Sequence, residues 1–206
     1  MEENYYKVSS TEIDVLKEIG TIGSGRAATA LADLLGIRVN IRVPEVRLVP
    51  LENIDKLLGN PEEVLFVIDI ELKGDVRGRI IFLIAPTEAG KMGSVLLGKS
   101  PQEINWDDLF FQSTLNEVAN ILVGSYMNAL SDMTGLTILY DVPSIVLDMV
   151  SAVLDFIFIK IAKESEKALF IKTDLNVEDR EFRGFFFFFP TMDTLKKIFK
   201  ALKISD

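Results

Sequence analysis

Three polar side chains in FFQSTLNEVANILVGSYMNAL (residues 110–130) are spaced so that a helix would carry them on one face: Ser113, Glu117 and Asn120. A carboxylate beside an amide can do two things without an imidazole. The carboxylate can grip a cationic group on a partner, while the amide oxygen accepts a hydrogen bond from a water and aims it. A glutamine assists GTP hydrolysis in this way, and most of that catalysis is positioning and electrostatics. A solvated helix face also carries polar pairs at this spacing, so the spacing alone leaves both readings open.

Composition narrows the chemistry further. The 206 residues include no cysteine and no histidine. Thiol nucleophiles, zinc fingers, imidazole bases and haem or iron–sulfur ligation are thereby excluded. The balance of 22 basic against 31 acidic residues gives a net charge of −9, which lacks the cationic footprint of a nucleic-acid binder. Hydrophobic residues at 49% and charged residues at 26% suit a soluble globular chain with a proper core. The start, MEENYYKVSS, has neither the basic nor the apolar region of a secretory leader. The most apolar runs, IIFLIAP at 80–86 and GFFFFFP at 184–190, fall far short of the roughly 18 residues that cross a bilayer. The expectation is a cytoplasmic protein without membrane insertion.

The elements that must position the polar face recur. A shift of 99 residues aligns 14–48 with 113–147 without a gap, with 11 of 35 positions identical, among them Glu18/Glu117, Val43/Val142 and Pro44/Pro143. Periodicity predicts a helix over about 11–35, with Ser10 or Thr11 and the acids from Glu12 to Asp14 at its start and Gly36 as its stop. IRVNIRVPEVRLVP reads as a strand. LFVIDIELKG and DVRGRIIFLIAP read as a hairpin turned at Lys73 to Val76, and TEAGKMGSVLLG as a closing helix. The same order follows in the second half: a helix from about Trp106 to Met133, a strand near 137–150, a hairpin over 153–189 and a helix over 191–203. These elements predict an α+β fold, helix–strand–hairpin–helix twice, with internal pseudo-twofold symmetry and an antiparallel sheet faced by helices. One domain spans 1–206, its repeat halves covering about 8–100 and 105–206, and the chain is expected to be a monomer.

Other candidates are weaker. GTIGSGRAA at 20–28 suggests a phosphate-cradling loop, but it sits inside a helical pattern instead of following a strand. Small residues there fit close helix packing better. Asp107, Asp108, Asp55, Glu62 and Glu63 have no spacing tied to a known metal or acid–base geometry. Lys196, Lys197, Lys200 and Lys203 suit the end of the last helix.

The repeated pattern resembles the CheC/CheX/FliY family of chemotaxis phosphatases: Asp or Ser, three residues, Glu, two residues, Asn, then 22 residues and Pro. Ser113, Glu117, Asn120 and Pro143 match it fully. Asp14, Glu18 and Pro44 match it in the first half, where Thr21 replaces the Asn. Within the family the CheC type fits best, since the FliY type adds segments for which this length leaves no room. The resemblance implies hydrolysis of the aspartyl phosphate on the response regulator CheY. The partner would supply the phosphoaspartate, the Mg2+ and a lysine, and this chain no cofactor. It assigns Glu117 to that lysine, Asn120 to the water and Ser113 to a supporting place. It also implies binding to CheD, a receptor-modifying deamidase, with Asp148 as a candidate for that surface. Asp14, Glu18 and Thr21 would form a degenerate first site, because a threonine hydroxyl is shorter than an amide and sits on a stiff β-branched carbon. The alternative reading is a binding module that docks CheD or phosphorylated CheY with little or no turnover.

Overall fold

The structure, a computed structural model, describes residues 9–165, 167–177 and 180–203. Most of the acidic start, residues 1–8, lies outside them. Two 26-residue helices dominate: α1 (Ser10–Leu35) and α4 (Leu109–Thr134). Their bounds differ by the same 99 residues that align the two halves of the sequence. Helix α1 starts one or two residues earlier than expected. Ser9 is the N-cap, and its hydroxyl accepts from the Glu12 amide while the Glu12 carboxylate accepts from the Ser9 amide. Asp108 caps α4 through the Phe110 amide. Gly36 and Gly135 end the two helices at φ 65° and 71°, a left-handed turn that glycine adopts without strain.

Seven strands form one antiparallel sheet: β1 (Val39–Pro50), β2 (Val64–Gly74), β3 (Gly78–Ile84), β4 (Ile138–Tyr140), β5 (Ser144–Met149), β6 (Lys167–Val177) and β7 (Arg180–Pro190). The order is β1-β6-β7-β3-β2, with β4 and β5 following one another along the far side of β2. The outer strands cross over: β1 pairs with the β6–β7 hairpin of the second half, and β5 with the β2–β3 hairpin of the first. Both borders carry an extra residue. Val43 and Pro44 stand against Thr173 alone, and residues 141–143 span only two residues of β2.

One face of the sheet is covered by α1, α4, α3 (Pro86–Leu97) and α6 (Met192–Ala201), burying Leu16, Leu115, Phe182, Phe186 and Phe188 among others. The other face buries Ile54, Val67, Leu83, Phe187 and Phe189 beneath short helices. The phenylalanine run thus divides alternately between two cores, with Phe185 half-buried. One of these short helices, α2 (Asp55–Leu58), follows β1. The other corrects the sequence reading. Residues 150–161 are helical, α5 (Val150–Phe156) running into a π-helical turn (Ile157–Ile161), and the second hairpin begins only at β6. Val150, Val153, Ile157 and Ile161 are its buried positions, a spacing of three and four that suits a helix on a sheet. Among the described residues, no helix is long and apolar enough to cross a membrane.

The glycines of GTIGSG lie inside α1, as packing predicts. Gly23 faces Tyr126 of α4, and a Cβ there would fall 2.9 Å from the Tyr126 Cα. Arg26 and Asp132 tie the same two helices at 2.6 Å. Tyr126 is buried against Phe186, and neither its hydroxyl nor that of nearby Thr173 completes a hydrogen bond of standard geometry. Burial pushes its phenol up to about 12, offset only in part by Thr173. The fold therefore favours the neutral phenol. That contribution is complete below about pH 10 and is lost as pH rises from there to about 12. Tyr126→Phe, which removes an unpartnered hydroxyl, should melt at an unchanged or higher temperature at pH 7. It should also lose less stability than the parent between pH 10 and 12. A clear drop in melting temperature at pH 7 would show that the hydroxyl is bonded.

Candidate functional site

Helix α4 presents Leu109, Phe110, Ser113, Asn116, Glu117 and Asn120 along one stripe, since these positions recur at three- and four-residue intervals. Beside the stripe runs the border between β4 and β5, where the extra residue and Pro143 interrupt the ladder. Between helix and border lies an open groove of about 270 Å³, lined by Ser113, Asn116, Glu117 and Asn120 on one side and by Tyr140, Asp141, Val142 and Pro143 on the other. Residues 20 or more positions apart in sequence thus meet at one place.

Glu117 and Ser113 are exposed and Asn120 is half-buried. Among the described residues none of the three makes a hydrogen bond or ion pair, so the carboxylate and the amide are free for an incoming group. The opposite wall is held in place: the Asp141 amide donates to the Glu71 carbonyl, and the Asp141 carboxylate takes the Lys73 ammonium at 2.7 Å. That bond and charge keep the Lys73 ammonium above its ordinary pKa. Tyr140 lies over α4, its hydroxyl where a Cβ on Gly124 would come within 2.7 Å. Gly124 is thus what lets the border approach the helix.

The first half differs in its chemistry. Asp14, Glu18 and Thr21 are exposed on α1, and the Thr21 hydroxyl donates to the Lys17 carbonyl at 2.9 Å. Its donor is spent on its own helix, a frequent habit of threonine in helices. Asp148 does not line the groove. Its carboxylate accepts from the Met149 amide, and it faces a separate hollow with Asp69 and Phe156. Asp108 and Asp55 serve at helix starts, and among the described residues no three acidic groups gather as a metal cage would require.

Asn116, Tyr140, Asp141 and Val142 are groove residues that the sequence reading did not single out. The repeated Val-Pro pair was their only signal, since Asp141 and Tyr140 reach the groove through strand pairing. Leu109, Phe110 and Val142 are 79%, 66% and 88% exposed around it. Large apolar side chains standing out beside a polar groove mark a surface that meets another protein.

The sequence profile of the CheC-like family matches residues 12–47 and 110–147. The first segment holds Glu18 and Pro44; the second holds Ser113, Glu117, Asn120 and Pro143. In these two segments the chain is similar to the CheC-like family. Its sequence is 29% identical over 202 residues to the CheY-P phosphatase CheC of Bacillus subtilis (strain 168), covering 96% of this chain and 97% of that one. The crystal structure of Thermotoga maritima FliY superposes with a TM-score of 0.75 at 21% identity, over 96% of this chain and 99% of that chain. A chain of the CheX-CheY-BeF3-Mg+2 complex from Borrelia burgdorferi gives 0.51 at 18% identity, over 84% of this chain and 96% of that one. The mixed helix and antiparallel sheet architecture is therefore one that this chain shares with Thermotoga maritima FliY.

Proposed function

We propose that this chain is a cytoplasmic chemotaxis phosphatase that hydrolyses the aspartyl phosphate of CheY through one complete site. The observation that carries the reading is the groove: Ser113, Glu117, Asn120 and Pro143 meet in it, with Glu117 and Asn120 unpaired. A relative of nearly equal length, 29% identical, bears the name CheY-P phosphatase, and a structural neighbour is a chain of a CheX-CheY complex.

In this reading Glu117 pairs with a lysine of the partner and fixes the docked orientation. The Asn120 carbonyl oxygen accepts a hydrogen bond from a water and holds it in line with the phosphorus, opposite the aspartyl oxygen. The water oxygen bonds to phosphorus as the bond to the aspartate breaks, leaving inorganic phosphate and a free carboxylate. Positioning of this kind removes the entropic part of the barrier. The partner's Mg2+ would supply charge neutralisation at the phosphoryl group. The exposed Leu109, Phe110 and Val142 supply apolar contact around the groove. CheD docking belongs to the same proposal, on the border strand β5, where Val146, Leu147 and Met149 are exposed beside Asp148.

The test is phosphate release from phosphorylated CheY with magnesium. The intact chain should accelerate decay and Glu117→Ala should remove most of the acceleration. Thr21→Asn, which exchanges a self-bonded hydroxyl for an amide, should raise turnover per chain. Decay unchanged by the intact chain would leave the binding-module reading, with tight capture of phosphorylated CheY or CheD as its signature.

A further inference from the structure

Asn116 lines the groove between Ser113 and Asn120, yet its Oδ1 is buried without a hydrogen-bond partner. The amide atom left to face the groove is Nδ2, which makes no hydrogen bond among the described residues. A buried carbonyl oxygen left unbonded costs stability, and a folded protein that carries one calls for a reason. Packing does not supply it, since an apolar side chain of similar size would fill the place without an orphaned oxygen.

The groove also lacks what a phosphoryl group would ordinarily meet. Its lining holds no lysine or arginine, and Glu117 brings a negative charge. The side-chain donors it does hold are two hydroxyls and two amides. The Tyr140 hydroxyl lies over Gly124, which is eight residues beyond Asn116 and so about 12 Å along the helix. The Ser113 hydroxyl stands on a shorter stem than an amide. Asn120 turns its oxygen to the water. Asn116 stands one turn before Asn120 on the same helix face, and side chains so placed have Cβ atoms about 5–6 Å apart. Two amides at that separation can converge on atoms about 3 Å apart, the distance between an attacking water and the group it attacks.

We propose that Asn116 is a further catalytic residue of the hydrolysis, its Nδ2 donating to a phosphoryl oxygen while Asn120 holds the water. The proposal rests on the phosphatase reading and adds to it a donor for the charge spread over the equatorial oxygens. The bond changes are those already described: water oxygen joins phosphorus as the aspartyl oxygen leaves, and Asn116 neither gives up nor takes a proton.

The test is phosphate release from phosphorylated CheY with magnesium by the parent, Asn116→Ala, Asn116→Asp and Asn120→Ala, with the melting temperature of each. Asn116→Ala should lower kcat about tenfold, as loss of one hydrogen bond to a charged group predicts. It should melt no lower than the parent, because the unbonded oxygen leaves with the side chain. Asn116→Asp keeps the shape but sets an acceptor where the donor stood, and should be slower still. The parent rate in Asn116→Ala, with Asn120→Ala inactive, would overturn the proposal and leave the phosphatase reading standing. An aspartate variant faster than the alanine one would overturn the donor, since an amide turned with its oxygen to the groove predicts that order. A rate loss matched by a lower melting temperature would mean that Asn116 serves the fold. No acceleration by the parent would overturn both the proposal and the reading on which it rests.

Discussion

Asn120→Ala should cut the acceleration of CheY dephosphorylation by about 100-fold or more, the usual cost of removing one preorganised group from a reacting centre. The side chain is half-buried and makes no hydrogen bond within the described residues, so little stability should go with it. Activity and melting temperature should therefore separate, which distinguishes a lost function from a lost fold. Asn128→Ala serves as the control, since Asn128 is exposed on the same helix and lies outside the groove. The expectation is this large because the first half cannot compensate. The Thr21 hydroxyl is bonded to Lys17 and does not reach outward as an amide would. Phosphate release that stays near the parent rate in Asn120→Ala would move the chemistry away from the groove, or return it to α1.

Gly23→Ala should be the most damaging of the small helix substitutions. Alanine normally favours a helix over glycine by about 0.5–1 kcal/mol. Here the new methyl would lie 2.9 Å from the Tyr126 Cα, a backbone atom that cannot swing aside. Helices α1 and α4 must part, at a cost of about 1–3 kcal/mol for an overfilled core. The net effect is a melting temperature lower by several degrees, at about 2–4 °C per kcal/mol for a chain of this size. Gly25→Ala gives the contrast, because nothing stands within 4 Å of its Cβ position. It should melt at a slightly higher temperature. Equal melting of the two variants would mean that the helices do not rest on Gly23.

These two predictions also mark what could be read from residues alone. Ser113, Glu117, Asn120 and Pro143 were identifiable from spacing and resemblance, and the structure brings all four to one groove. Both long helices and the first hairpin were readable because their signals are local: a cap, a period, a terminal glycine. The stretch 150–161 was not, since VSAVLDFIFIKI is rich in residues that suit strands, and its helical burial follows from the sheet it lies on. The pairing of β1 with β6 and the approach of Asp141 to Lys73 join residues more than 60 positions apart. No periodicity encodes such contacts. Tyr140 shows the same limit, because only the fold explains why Gly124 lies beneath its hydroxyl.

The proline bulges at the two sheet borders bear on solubility as well as on site geometry. An open strand edge is a template for a second chain, and fibres grow when such edges meet in long, flat registers. Here Pro44 interrupts one border and Pro143 the other, each lacking an amide hydrogen and each beside an extra residue that kinks the edge. No uninterrupted run along either border exceeds the six residues of β5 or of Glu45–Pro50. The kink that seats Pro143 against Glu117 and Asn120 thus also guards an apolar edge against indefinite stacking of copies.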